Sequence, residues 1–263
     1  MGNKINDAVK PRISALLIIK NEAHQLPELF KNLEFAHEII VVDSFSADDT
    51  YEVMKKFPKV RFIQNSFKNF SDQRNFALSQ TKNNWVLFMD ADERISENLK
   101  CEILTLDLST DKFVAFKMKR QMYFKEKKIR FSGFQTDKVY RLFNKNFVHF
   151  DENTFVHEKL IVRGKTAVLR EKLDHFSFKS IDSYQRKLDH YAQLRAQELF
   201  AKGLHPNAFH YYIKPLYRFL NHYIIRFGFL DGTKGFNLAR LHASGVKKRY
   251  FYLNRLRKES LFS

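Results

Sequence analysis

Over the first hundred residues, short apolar runs alternate with polar segments of helical character. Ile13–Ile19, residues 38–42 (Glu-Ile-Ile-Val-Val), Val60–Gln64 and Trp85–Met89 have the length and the aliphatic, β-branched or aromatic content of buried strands. The intervening segments predict helices over residues 25–33, 50–57 and 71–81, the second capped from within residues 44–50 and the third opened by Ser71-Asp72. Strand and helix in strict alternation predict a parallel sheet with right-handed crossovers.

Three of these strands end in polar groups: Lys20-Asn21-Glu22 after the first, Asp43 after the second, and Asp90 and Asp92 after the fourth. Ligands of open α/β sheets gather at the carboxyl ends of strands, so this edge is the candidate cleft. Val86 to Met89 is too short for a buried helix and too apolar for a loop, and its two following carboxylates cannot be buried unpaired. Two readings are open for Asp-Ala-Asp: a metal-phosphate site, or caps for a helix starting near Ser96.

After Leu108 the pattern changes. Residues 112–123 and 138–143 alternate aromatic and basic positions around a Ser132-Gly133 turn, which predicts antiparallel strands beside the sheet. Phe155-Val156-His157-Glu158 sets an acid after an apolar pair, and His175 lies between apolar neighbours; a histidine so placed is more often structural than a ligand. From Ile181 the chain reads as helical. Within residues 209–230, His210, Lys214, Arg218, His222 and Arg226 recur every fourth position on an otherwise aromatic and aliphatic helix. Four residues drift by roughly 40° on a helix, so these five form one stripe. The segment is too charged to span a bilayer; it either lies in a membrane interface or packs on the domain, and Pro215 kinks it or marks its start.

Composition adds charge to this picture. Residues 1–110 hold 14 Lys and Arg against 16 Asp and Glu, residues 111–170 hold 15 against 6, and residues 171–263 hold 17 against 7, giving the net +17. The acidic motif lies in the neutral part, and the basic remainder should face an anionic partner. A single cysteine, Cys101, excludes an internal disulfide and a cysteine zinc cluster and is expected in the core. The polar residues 1–12 lack the apolar core of a secretory signal, so a cytoplasmic location is expected.

Ile-Lys-Asn-Glu, Glu-Ile-Ile-Val-Val-Asp, Gln-Arg-Asn and Met-Asp-Ala-Asp-Glu-Arg together resemble the inverting family 2 glycosyltransferases. Ser132-Gly133-Phe134, Tyr140-Arg141-Leu142-Phe143, Val156-His157-Glu158-Lys159 and Gly228-Phe229-Leu230-Asp231-Gly232 are similar to the lipopolysaccharide core β-1,4-glucosyltransferase group. The resemblance implies an α/β fold of the GT-A class over residues 1–180, with a C-terminal helical region at 181–263 for acceptor or membrane contact. It implies a UDP-sugar donor held by Lys20, Asn21, Glu22, Asp43, Arg74 and Asp90, and a divalent metal, Mg or Mn, on Asp92 and Asp90 with His175 as a further ligand. An inverting transfer needs a base to take the acceptor's proton, and Glu158, beyond the metal motif in the acceptor half, is the candidate, with Asp137 in reserve. The implied partners are an anionic glycolipid acceptor and the cytoplasmic face of the inner membrane, with no nucleic acid.

Three other classes are weaker. A haloacid-dehalogenase-type phosphatase also ends a strand in Asp-x-Asp, but on its first strand and followed by Thr or Val, where this chain has Glu93-Arg94 after the fourth. An RNA-binding module would explain the charge but not the nucleotide cleft. A dinucleotide-binding dehydrogenase needs a glycine-rich turn where Lys20-Asn21-Glu22 stands.

Overall fold

A computed structural model describes residues 11–124, 127–151, 160–178 and 181–260. The chain forms two compact units, Met1–Arg120 with Lys138–Asp174, and Gln121–Asp137 with His175–Ser263.

The first unit opens with β1 (Ile13–Ile19), α1 (Leu26–Asn32), β2 (Glu38–Asp43), α2 (Thr50–Met54), β3 (Val60–Gln64), α3 (Phe70–Ser79) and β4 (Trp85–Met89). The four strands are parallel in the order β3-β2-β1-β4. β1, β4 and the inner part of β2 are buried, which is why they read as apolar runs, whereas the edge strand β3 is exposed at Arg61 and Gln64. Ala15, Leu17, Leu87 and Met89 point into one core cluster, and Leu16, Val86 and Phe88 into another. Each fully buried aliphatic side chain contributes roughly 1.5–3 kcal/mol of transfer free energy, so the period-two pattern fixes the register.

β5 (Glu93–Ile95) and α4 (Glu97–Leu104) follow, then β6 (Ala115–Phe124), β7 (Lys127–Ile129), β8 (Lys138–Asn144), β9 (Val148–Phe150), β10 (Leu160–Val162) and β11 (Thr166–Phe178). The sheet continues from β4 as β8-β6-β11-β5, with β8 antiparallel to β4. This mixed α/β sheet, Rossmann-like in its first half, has the GT-A architecture that the resemblance implied.

The β8–β6 ladder pairs Phe116 with Leu142 and Lys117 with Tyr140, leaving Arg141 as an extra residue on β8. Such a bulge re-aims the side chain it carries.

Three local expectations change. Asn69, rather than Ser71, caps α3: its Oδ1 accepts from the Asp72 amide at 2.8 Å. Ser96 caps α4 through the Leu99 amide, with β5 standing between that helix and Asp92; the capping reading of the Asp-Ala-Asp pair therefore falls away. Cys101 is exposed on α4 rather than in the core, because the buried face of that helix is set by Leu99 and Ile103.

The second unit contains the outer part of β6 paired with β7, and then α5 (Ile181–Ala201), α6 (Lys214–Leu220) and α7 (Thr233–Glu259). A π-turn flanks α6 on each side, Phe209–Ile213 and Asn221–Ile225, and Pro215 sits in the first turn of α6, where its missing N–H costs nothing. Gly228–Asp231 forms a 3₁₀ turn whose Asp231 carboxylate accepts the Arg130 and Phe131 amides. Among the described residues, no helix is long and apolar enough to cross a membrane.

The helical segment 209–230 is amphipathic in an unexpected sense. Pro215 and His222 are buried, and Lys214 stands over the Tyr250 ring of α7. Tyr212, Ile213, Leu216, Tyr217, Ile224 and Ile225 are all at least half exposed. Part of the ionisable stripe thus packs inward and the apolar face outward. His222 and His242 stack at 4.2 Å; His222 Nδ1 donates to the Ser132 carbonyl, and Tyr184 Oη lies 2.9 Å from His242 Nε2. Burial and the nearby Arg218 charge lower His222 to about 4, and burial with His222 beside it lowers His242 to about 3.

Candidate active site

The carboxyl ends of β1 and β2 are tied into one loop cluster. Asn21, in the left-handed region at φ 58°, donates its amide to Ser46 Oγ at 2.7 Å, and its Oδ1 accepts the Ala47 amide at 2.7 Å. An asparagine tolerates that conformation better than a β-branched residue would. Ser46 in turn donates its hydroxyl and amide to Asp43, whose Oδ2 also accepts from Gln64. Asp43 is therefore buried and fully engaged, shaping the loop 44–50 around the exposed Lys20 and Asn21. Within that loop Asp48 accepts from Thr50 and the Ala23 amide; burial opposes the shift, but these hydrogen bonds outweigh it and hold its carboxyl below the usual range.

At the end of β4 a charged group is built around Glu93, which is completely buried. Glu93 accepts from the Asp90 amide at 3.1 Å, from Arg141 Nη2 at 2.8 Å, and has Arg120 Nη1 at 3.8 Å. The same Arg141 nitrogen donates to Asp90 Oδ2. Burial alone would make the Arg141 cation harder to keep, but Asp90 and Glu93 outweigh it and push its pKa up. Arg94 does not enter this group; it turns back to the carbonyls of Ala91 and Gln25.

These residues open onto a cleft of about 800 Å³ lined by Arg74, Phe88, Asp90, Lys117, Arg120, Lys138, Tyr140, Arg141 and Phe150 among others. Arg74 reaches it from the first turn of α3, its guanidinium over the rings of Phe88 (5.5 Å) and Phe150 (5.2 Å). The lining has five cations and one carboxylate. Such a cleft concentrates anions.

The first unit thus holds Lys20, Asn21, Glu22, Asp43, Arg74, Asp90 and Asp92. Asn21 and Asp43 meet through Ser46, and Arg74 and Asp90 line one cleft. Asp137, at the end of the 3₁₀ turn Phe134–Thr136, and the buried His175 belong to the second unit. Glu158 lies outside the described residues. Sequence reasoning gave no role to Glu93, Arg120 or Arg141. The signal was present in Tyr-Arg-Leu-Phe: an arginine inside an apolar strand requires a buried carboxylate partner.

For a divalent cation, the donor chemistry fits in a limited way. Asp90 and Asp92 are partly exposed hard-oxygen donors one residue apart, and Mg²⁺ is commonly held by one or two carboxylates with substrate phosphates and waters. Among the described residues, no three His, Cys, Asp or Glu side chains form a group that could hold a metal ion, so a cation here would need further oxygen ligands besides these two carboxylates.

The family model for glycosyl transferase family 2 matches residues 14–175. The chain is 30% identical to an uncharacterized glycosyltransferase of Rickettsia conorii, over 98% of this chain and 94% of that one. It is 26% identical to the lipopolysaccharide core biosynthesis glycosyltransferase LpsC of Rhizobium meliloti, over 90% and 93% respectively. Among solved structures, S. aureus TarS 1–349 in complex with UDP covers 94% of this chain and 92% of its own at 16% identity, with a TM-score of 0.46. The phosphatase, RNA-binding and dehydrogenase readings have no support in these matches. With a family model spanning more than half of its 263 residues, the chain belongs to glycosyltransferase family 2.

Proposed function

We propose that the protein transfers a hexose, with glucose the first candidate, from a UDP-sugar to an anionic glycan at the cytoplasmic face of the inner membrane, the inner-core heptose of lipopolysaccharide being the acceptor to test first. The observation that carries this reading is the cleft at the end of β4, where Arg74, Arg120 and Arg141 surround Asp90. Similarity to LpsC along nearly the whole chain supports the acceptor class.

In this reading Asn21 and Glu22, on a loop kept in shape by Asp43 and Ser46, meet the base and ribose. Arg74 and Asp90 lie toward the diphosphate, and Asp92 with Asp90 holds Mg²⁺ or Mn²⁺. A divalent cation there stabilises the charge gained by the departing diphosphate. Arg141 ties Asp90 to Glu93 and keeps Asp90 oriented. Glu158 takes the proton of the attacking acceptor hydroxyl on the face opposite the leaving group, as inversion requires, with Asp137 as the alternative base. The outward apolar face of residues 209–230, with no Asp or Glu from Leu199 to Leu230, supports docking to an anionic lipid surface.

The test is a thermal-shift panel of nucleotides and UDP-sugars with and without Mg²⁺ or Mn²⁺, followed by transfer to core-truncated lipopolysaccharide. The expected result is a metal-dependent shift with UDP and UDP-glucose and mass addition of one hexose. No shift with any uridine nucleotide would overturn the donor assignment.

A further inference from the structure

The β6–β8 ladder carries an electrostatic cost that the donor does not explain. Lys119 and Lys138 are register partners, and Lys117 pairs with Tyr140, two positions along from Lys138. Register partners project to the same face of a sheet, so Lys117, Lys119, Lys138 and Tyr140 share one face. Like charges directly opposite each other on paired strands are destabilising. None of the three ammonium groups has a carboxylate within 4 Å among the described residues; the Lys117 ammonium instead stands 4.6 Å from the centre of the Tyr140 ring.

The charge in the adjoining cleft divides unevenly. Arg141 is committed to Asp90 and Glu93, and Arg120 leans on Glu93. A divalent cation on Asp90 and Asp92 would neutralise those carboxylates, and a donor diphosphate would face Arg74 and Arg141. Lys117 and Lys138, which also line the cleft, remain without an anion, as does Lys119 opposite Lys138. Lys117 and Lys119 are half-buried and Lys138 is exposed, all on one face of the ladder, so the three charges repel one another at a place where an anion would hold them together.

We propose that Lys117, Lys119 and Lys138, with the Tyr140 ring, form a binding subsite for a phosphate group carried by the acceptor glycan. The ammonium groups meet the phosphate oxygens, and Tyr140 offers its face to the adjoining sugar. The subsite selects a phosphorylated acceptor and sets its register against the donor. This proposal rests on the transferase reading for the word acceptor, but phosphate binding can be measured without it.

The experiment uses the full chain and the variants Lys119→Gln/Lys138→Gln and Lys117→Gln. Inorganic phosphate is titrated by isothermal calorimetry, alone and in the presence of saturating UDP and Mg²⁺. Wild type should bind phosphate under both conditions, and the double variant should bind it at least tenfold more weakly with UDP affinity unchanged. With no anion present, the double variant should also melt higher than wild type, because a repulsive pair has been removed. Equal phosphate binding by both proteins would overturn the proposal. An equal loss of UDP affinity would also overturn it, assigning these lysines to the donor diphosphate instead. A separate arm compares a phosphorylated core oligosaccharide with its dephosphorylated form: the variant should raise KM for the first and leave the second unchanged. If UDP does not bind at all, the transferase reading fails while the phosphate titration still decides the subsite.

Discussion

One nitrogen of Arg141, Nη2, donates to the carboxylates of both Asp90 and Glu93, joining a partly exposed acid at the cleft to an acid with no exposure at all. Removing the cation takes from the buried Glu93 its nearer guanidinium, Arg120 standing farther off at 3.8 Å. Arg141→Met should therefore cost about 3–5 kcal/mol, the range for breaking one side of a buried pair. Chemical denaturation measures this, and adding Glu93→Gln should return part of the loss without restoring transfer. A stable single variant would show that the pair carries little.

The metal role proposed for Asp92 is tested by reading UDP binding with and without the metal. Asp92→Ala, compared with its own free form, should lose the metal-dependent shift given by UDP. A shift of wild-type size in the variant would remove Asp92 from the metal site.

Glu158→Gln should bind UDP and metal as wild type does while losing about 10²–10⁴-fold in kcat, the usual contribution of a positioned base. Unchanged turnover would pass the role to Asp137, whose Asn variant is the next measurement.

The outward face of residues 209–230 gives a prediction about membranes. The protein should sediment with anionic liposomes at low salt and retain part of that binding at high salt, because Tyr212, Ile224 and Ile225 bury apolar surface as well as charge. Ile224→Asp/Ile225→Asp should abolish the salt-resistant part. Complete release by salt in the wild type would leave only an electrostatic attraction.

His222 and His242 give the second unit an acid limit. Both are held neutral in the fold well below the ordinary value of 6.5, so the unfolded chain binds more protons between those values. Their contribution is complete above pH 6.5 and falls as pH drops toward 4, by about 2 kcal/mol per histidine at pH 5. Circular dichroism melts between pH 7 and 5 should show this loss, and His222→Gln should flatten it. A pH-independent melt would mean that the pair binds protons equally in the folded and unfolded chain.

The parallel half of the sheet was legible because buried strands leave a continuous apolar signal, which β1 and β4 match residue for residue; the bounds of the partly exposed β3 match as well. The placement of Asn21, Asp43 and Asp90 just past or at the carboxyl ends of neighbouring strands followed from the same topology. Three things were not legible. Short β5 has no period to detect, and its Glu93 reads as one more acid after Asp-Ala-Asp until burial singles it out. The role of Arg141 depends on a ladder irregularity, which arises from pairing between strands distant in sequence. The stripe from His210 to Arg226 predicts an amphipathic helix but not which side faces inward; packing on α7 decides that.

The extra residue on β8 separates what the sheet needs from what the chemistry needs. Phe116 with Leu142 and Lys117 with Tyr140 would close into a regular ladder if Arg141 were deleted and nothing else moved. Architecturally, the arginine is a surplus residue. A single-codon deletion there, with Glu93 made neutral, should yield a flatter, better-paired sheet with an inert cleft. Natural lineages that drop this one residue would therefore be expected to keep the scaffold and lose the enzyme.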